Sequence, residues 1–224
     1  AREARVALAA GHRRRLAAGF DGLVAIGLVS PDQVRRNADS RSGDCLVLGK
    51  PIGVGVLSAA LKRGLLDEAG YARMRAPMTQ LNAVGTTLAA LPAVHAMTDV
   101  TGFGLLGHLL EVCRGSGLDA TLDLAAVPVL DDARRFAQDG VFTGASTRNW
   151  ASYGAEVALP ADLPEAQRAL LTDPQTSGGL LVSCAPEALD AVLATFRAAG
   201  FAEAACVGRM QARGDGAARV QVKG

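Results

Sequence analysis

The chain has 224 residues, half of them hydrophobic, and a formal net charge of +1, which suits one large or two small domains with a real core. So even a charge balance gives no electrostatic case for nucleic acid or an acidic membrane surface, and the one basic tract, Arg13-Arg14-Arg15, reads as a solvated loop. No apolar run reaches the roughly 20 residues of a bilayer span, and the opening Ala-Arg-Glu-Ala-Arg lacks the apolar core of a signal peptide.

In chain order, residues 2–9 read as the end of a helix closed by Ala10-Gly11-His12. Leu23 to Val29 is a short apolar strand, and Ser30-Pro31-Asp32 starts a turn or short helix. Arg35 to Asp44 is polar and rich in turn formers, a surface connection. Cys45 to Leu48 is a strand feeding Gly49-Lys50-Pro51, and Gly53-x-Gly55 after it is either a phosphate cradle or a tight strand–helix packing point. Val56, Leu57, Ala60 and Leu61 predict a helix ending near Gly64. Asp67 caps the next helix, which Pro77 interrupts or restarts. Leu81, Val84, Leu88 and Leu91 recur at helical spacing until Pro92.

An apolar run through Val94, Ala96 and Met97 then leads into Thr98-Asp99-Val100-Thr101-Gly102-Phe103-Gly104-Leu105-Leu106-Gly107-His108. The stretch starts as a strand and ends inside a helix whose stripe is Leu105, Leu106, Leu109, Val112 and Cys113, closed by Gly115-Ser116-Gly117. Asp99 at the strand end can hold a divalent cation against a phosphate bound to the glycine turn and helix start. Spacing alone favours the other reading, an N-cap or turn residue beside glycines that serve packing.

Ala120, Leu122 and Leu124 alternate with Thr121 and Asp123 as a half-buried strand. Asp131 to Gln138 is a short helix, and Val141 to Tyr153, lacking periodicity, reads as an ordered loop. Leu180 to Cys184 is a strand, and Pro186 opens a helix with the stripe Leu189, Val192, Leu193 and Phe196. Ala205–Met210 and Ala218–Val222 are closing strands flanking a Gly-Asp-Gly turn. Strands and helices mix without strict alternation, which points to an α+β sandwich. The cysteines Cys45, Cys113, Cys184 and Cys206 stand far apart with no C-x-x-C pair, so neither a zinc site nor a disulfide framework is indicated. Cys45 and Cys184 read as small buried hydrophobes in a reduced, cytoplasmic protein. Lys50 is a phosphate ligand by charge or a solvated strand-end lysine, and His95 and His108 read as packed or helix-surface histidines rather than metal ligands.

Thr98 to His108 resembles a signature of the selenophosphate synthetase (selenide, water dikinase) family. Leu171-Thr172-Asp173-Pro174-Gln175-Thr176-Ser177-Gly178-Gly179-Leu180-Leu181 resembles a second signature. Lys50-Pro51-Ile52-Gly53-Val54-Gly55-Val56-Leu57 and Arg148-Asn149-Trp150-Ala151-Ser152-Tyr153-Gly154 are further matches, so the resemblance runs from about Gly11 to the C-terminus. It implies an α+β domain of the kind found in aminoimidazole ribonucleotide synthetases over residues 45–224, with residues 1–44 as the tail of an N-terminal ATP-binding half.

The resemblance further implies a reaction in which selenide, ATP and water give selenophosphate, AMP and phosphate. Asp99 then matches a Mg²⁺ ligand, and Gly11 and His12 match a segment that contacts the nucleotide of the neighbouring subunit in a homodimer. After His12 the family continues with a hydroxyl residue and an acidic, Pro-containing loop, where this chain has Arg13 to Gly19. The family's reactive Cys or selenocysteine, its Gly-rich loop and its other metal-binding Asp residues are expected upstream of Ala1. No cysteine here has the matching context, so no residue is assigned a catalytic role and the chain alone is expected to be inactive. The alternatives are a non-catalytic binding or assembly remnant, or a sister ATP-dependent enzyme such as thiamine-monophosphate kinase.

Overall fold

Cys45–Leu48 has an apolar side chain at every position, the pattern of a strand covered on both faces, and forms β1 with all four residues fully buried. The structure, a computed structural model, describes residues 28–224. The described residues 28–34 group separately, with a 3₁₀ turn at Pro31–Gln33, and Arg35–Gly224 form one compact unit. In that unit β1 lies between β5 (Leu180–Cys184) and β6 (Ala205–Gln211), antiparallel to both. Beyond β5 lies the antiparallel β2 (Val94–Asp99). Beyond β6 come the antiparallel β3 (Asp119–Asp123), the parallel β7 (Val220–Lys223) and the two-residue β4 (Val157–Ala158). The order across the seven strands is β2-β5-β1-β6-β3-β7-β4.

Alternation along β1 sends its side chains into two cores. Leu46 and Leu48 join a cluster built with α1 (Val54–Lys62), α2 (Glu68–Thr79), α4 (Gly104–Ser116), α5 (Asp131–Gln138), α6 (Gly144–Tyr153) and α7 (Glu165–Leu171). Cys45 and Val47 face α3 (Val84–Ala89) and α8 (Leu189–Ala198). The result is an α+β sandwich, as expected, with a mixed sheet between two helical layers. The α4 stripe packs as its spacing requires, with Leu105, Leu106 and Leu109 fully buried and Val112 nearly so. No helix among the described residues is long and apolar enough to cross a membrane.

Several expectations are corrected. Val141–Tyr153 is no loop: Thr143 Oγ1 accepts a hydrogen bond from Ser146 N at 3.1 Å and starts α6. Its buried face carries Ser146, Asn149 and Tyr153 in place of an aliphatic stripe. The two closing strands form, as β6 and β7, but do not pair with each other, because β3 sits between them. Pro77 leaves α2 unbroken to Thr79. The repeat from Leu81 to Leu91 gives helix only over Val84–Ala89. The strand expected at Leu23–Val29 falls outside the described residues except for Leu28 and Val29, which belong to no strand.

Two polar clamps fix the start of α1. Gln175 Oε1 accepts from the amides of Gly53 (3.1 Å) and Val54 (3.2 Å), and Asp173 Oδ2 from Gly55 N at 2.8 Å. A Cβ at Gly55 would overlap Asp173 Oδ1, so only glycine lets the carboxylate this close. Gly53-x-Gly55 is therefore a packing point whose amides are already engaged. Lys50 is neither solvated nor available to a phosphate. Its buried Nζ donates to the carbonyls of Pro77 (2.9 Å), Gln80 (2.8 Å) and Ser177 (2.7 Å), using all three ammonium hydrogens while burial lowers its pKa to about 8.

Two outcomes follow for stability. Leu109→Ala should cost about 2–5 kcal/mol in urea denaturation, the range for emptying a buried leucine site. Asp173 is fully buried, its Oδ1 has no partner, and burial raises its pKa to about 7. The folded state thus holds this proton more tightly than the unfolded chain. Its contribution to stability is full below the ordinary carboxylate pKa near 3.8 and is lost as pH rises through about 7. Urea denaturation from pH 4 to 8 should show a steeper fall in stability for the parent than for Asp173→Asn.

Candidate functional site

The site begins where β2 stops pairing. Register with β5 sets Thr98 opposite Leu181 and Asp99 opposite Leu180. The chain then turns, and two backbone bonds continue the match into the loops: Val100 N donates to Gly179 O at 2.9 Å, and Gln175 N to Thr101 O at 3.0 Å. The two segments that carry the strongest sequence resemblance are thus packed against each other.

Asp99 lies at the rim of an open depression of about 500 Å³, with Thr98, Leu180, Asn82 and Arg35 among its walls. Its side chain is exposed, and among the described residues its carboxylate makes no hydrogen bond or ion pair. It caps no helix: α4 starts at Gly104, its N-cap position is Phe103, and no side chain caps it. A strand-end carboxylate with both oxygens uncommitted has the hard donor chemistry that Mg²⁺ takes from proteins, which is one or two carboxylates beside water and phosphate oxygens. Among the described residues no group of three or more His, Cys, Asp or Glu is gathered to hold a metal ion, so Asp99 fits as one ligand and not as a whole cage.

The other candidates are engaged elsewhere. His95 Nδ1 lies 2.9 Å from both oxygens of the buried Asp44, which also accepts from Ser183 Oγ at 2.7 Å. His108 stands between Thr101 Oγ1 (3.2 Å) and Glu111 Oε2 (3.0 Å). Both are packed histidines. Burial pushes the thiols of Cys113 and Cys184 up to about 12 and raises that of Cys45, which keeps them protonated and inert. Gly11 and His12 lie outside the described residues.

Two residues that the sequence left without a role sit behind the Asp99 turn. Asn149 Nδ2 donates to Gly102 O (2.9 Å) and Thr172 O (3.0 Å), and Tyr153 OH to Phe103 O (2.6 Å). The only signal for them was the resemblance of Arg148–Gly154.

Residues 41–221 match the family described as AIR synthase related protein, C-terminal domain. Among relatives, the chain is 60% identical over 220 residues to a selenide, water dikinase of Burkholderia ambifaria, covering 98% of this chain and 61% of the relative. The corresponding protein of Pseudomonas straminea is 57% identical over 211 residues, covering 94% of this chain and 59% of that protein. That of Rhizobium meliloti is 52% identical over 220 residues, covering 98% and 62%. The chain therefore spans about three-fifths of the length of these relatives. Among solved structures, HypE of E. coli aligns with a TM-score of 0.61 at 21% identity, covering 85% of this chain and 49% of that one. Thiamine-monophosphate kinase of Stenotrophomonas maltophilia aligns at 0.58 and 19%, covering 88% and 55%. Likeness at such identity speaks for the fold alone. Matched over most of its length, and with the sheet and helical layers to agree, the chain belongs to the AIR synthase related family through its C-terminal domain.

Proposed function

We propose that this chain is the C-terminal portion of an ATP-dependent selenide kinase, making selenophosphate, AMP and phosphate from selenide, ATP and water. Residues 45–224 would be its α+β domain and residues 1–44 the end of the ATP-binding half, in a cytoplasmic homodimer. The observation that carries this proposal is Asp99: an uncommitted carboxylate at a strand end, inside the segment Thr98–His108, in a chain 60% identical to a selenide, water dikinase. Support for ATP comes from the same relatives, which are named selenide, water dikinases.

Phosphoryl transfer depends on positioning and on meeting the charge of the moving group. Magnesium, when bound, would supply that charge, with Asp99 as one of its ligands. Residues of this chain would place the carboxylate, through the β2–β5 register and the bonds at Val100 and Thr101. Gly11 and His12 would reach the nucleotide of the neighbouring subunit.

The test uses a protein that joins this chain to the part of the Burkholderia ambifaria relative it does not span. There, Asp99→Asn should cut selenide-dependent AMP release by about 10²-fold or more, the scale of losing one electrostatic stabiliser, with the melting temperature nearly unchanged. A large fall in melting temperature with activity retained would make the carboxylate structural and overturn its assignment.

A further inference from the structure

We infer that Asn149 and Tyr153 are positioning residues for the turn that carries Asp99, an inference that rests on the magnesium ligand proposed above. The turn after Asp99 has two unlike faces. Outward, Gly102 is exposed and Phe103 is 56% exposed. Inward, three consecutive carbonyls each take a hydrogen bond from a different donor: Thr101 O from Gln175 N (3.0 Å), Gly102 O from Asn149 Nδ2 (2.9 Å) and Phe103 O from Tyr153 OH (2.6 Å). Surface turns are commonly mobile because few bonds hold them. This one is held at every inward carbonyl.

Asn149 has the larger part. It is buried, and both hydrogens of its Nδ2 are spent, one on Gly102 O and one on Thr172 O at 3.0 Å. A single atom thereby ties the Asp99 turn to the start of the loop that follows α7 and leads into β5. The two loops already touch. Gly104 sits at φ 72°, and a Cβ there would come within 2.6 Å of the Thr172 carbonyl carbon. Neither serine nor aspartate offers two hydrogens from one atom, so the amide suits the seam where they would not. Tyr153 adds a second hold from the same helix, and burial raises its pKa, so its hydroxyl remains a donor. Neither side chain touches reacting atoms. Each acts through the backbone that sets Asp99.

The experiment is a Mn²⁺ titration of the protein that joins this chain to the part of the Burkholderia ambifaria relative it does not span, read by paramagnetic broadening of backbone amide NMR signals from Thr98 to Gly102, with Asp99→Asn as the blank. Asn149→Ala should move the midpoint of broadening to roughly tenfold higher Mn²⁺ or beyond, the usual effect of losing a residue that orients a metal ligand. Tyr153→Phe, which removes one hydroxyl and keeps the ring, should shift it in the same direction by less, and it decides the matter if Asn149→Ala does not fold. Phe196→Leu, in the core on the opposite face of the sheet, should lower the melting temperature and leave the midpoint in place. Broadening in the parent that persists at the same midpoint in Asn149→Ala and Tyr153→Phe would overturn the positioning role alone. No broadening around Asp99 in the parent would overturn the magnesium reading and this inference together.

Discussion

The antiparallel register of β2 against β5 is the constraint on which the rest depends. It joins two stretches far apart in sequence, and its last pairs, Thr98 with Leu181 and Asp99 with Leu180, set where the loops beyond the strand ends begin. Closing so long a loop costs conformational entropy that grows only slowly with length. What offsets it is local: Val100 and Gln175 amides find carbonyls across the seam, while Leu181 and Val182 are buried on opposite faces of the sheet. A one-residue slip would exchange those faces and move Asp99 off the depression at the same time. Fold stability and placement of the candidate ligand are therefore set by one pairing.

Next to that seam the protein turns its own polar groups inward. A helix start leaves amides without partners, and a buried one must find them. At α1 they are met by Asp173 and Gln175, both from the loop leading into β5. Lys50 meets three carbonyls in the same way, from α2, from the residue after it and from the loop before β5. The glycines and the lysine look like phosphate-binding chemistry, yet they serve to join β1, α1 and α2 to the second loop. Asp99 differs in that its carboxylate makes no hydrogen bond or ion pair among the described residues.

Elements with a clean apolar period were legible in the sequence. β1, β2, α4 and β5 lie where alternation or the helical stripe put them, because each buries apolar side chains in a regular pattern. α6 was not, since Ser146 and Asn149 fill its buried face and make their bonds to Ala169, Gly102 and Thr172, partners that no local period reveals. The separation of β6 from β7 by β3 was hidden for a similar reason: strand neighbours follow from sheet-wide packing, while the Gly-Asp-Gly turn reports only local chain reversal. Asp99 was visible through its place before two glycines. That Lys50 is buried was not, because the carbonyls that hold it come from residues 77, 80 and 177.

Hydrogen exchange at three amides tests most directly whether the two loops and α1 form one unit around Asp99. Those are Val100, bonded to Gly179 O, Gln175, bonded to Thr101 O, and Gly55, bonded to the Asp173 carboxylate. If the register holds the site as described, all three should exchange with a common opening free energy, close to that of the β1 amides and to global unfolding. Fast exchange of Val100 and Gln175 while β1 stays protected would show a seam that opens on its own, and would contradict the account.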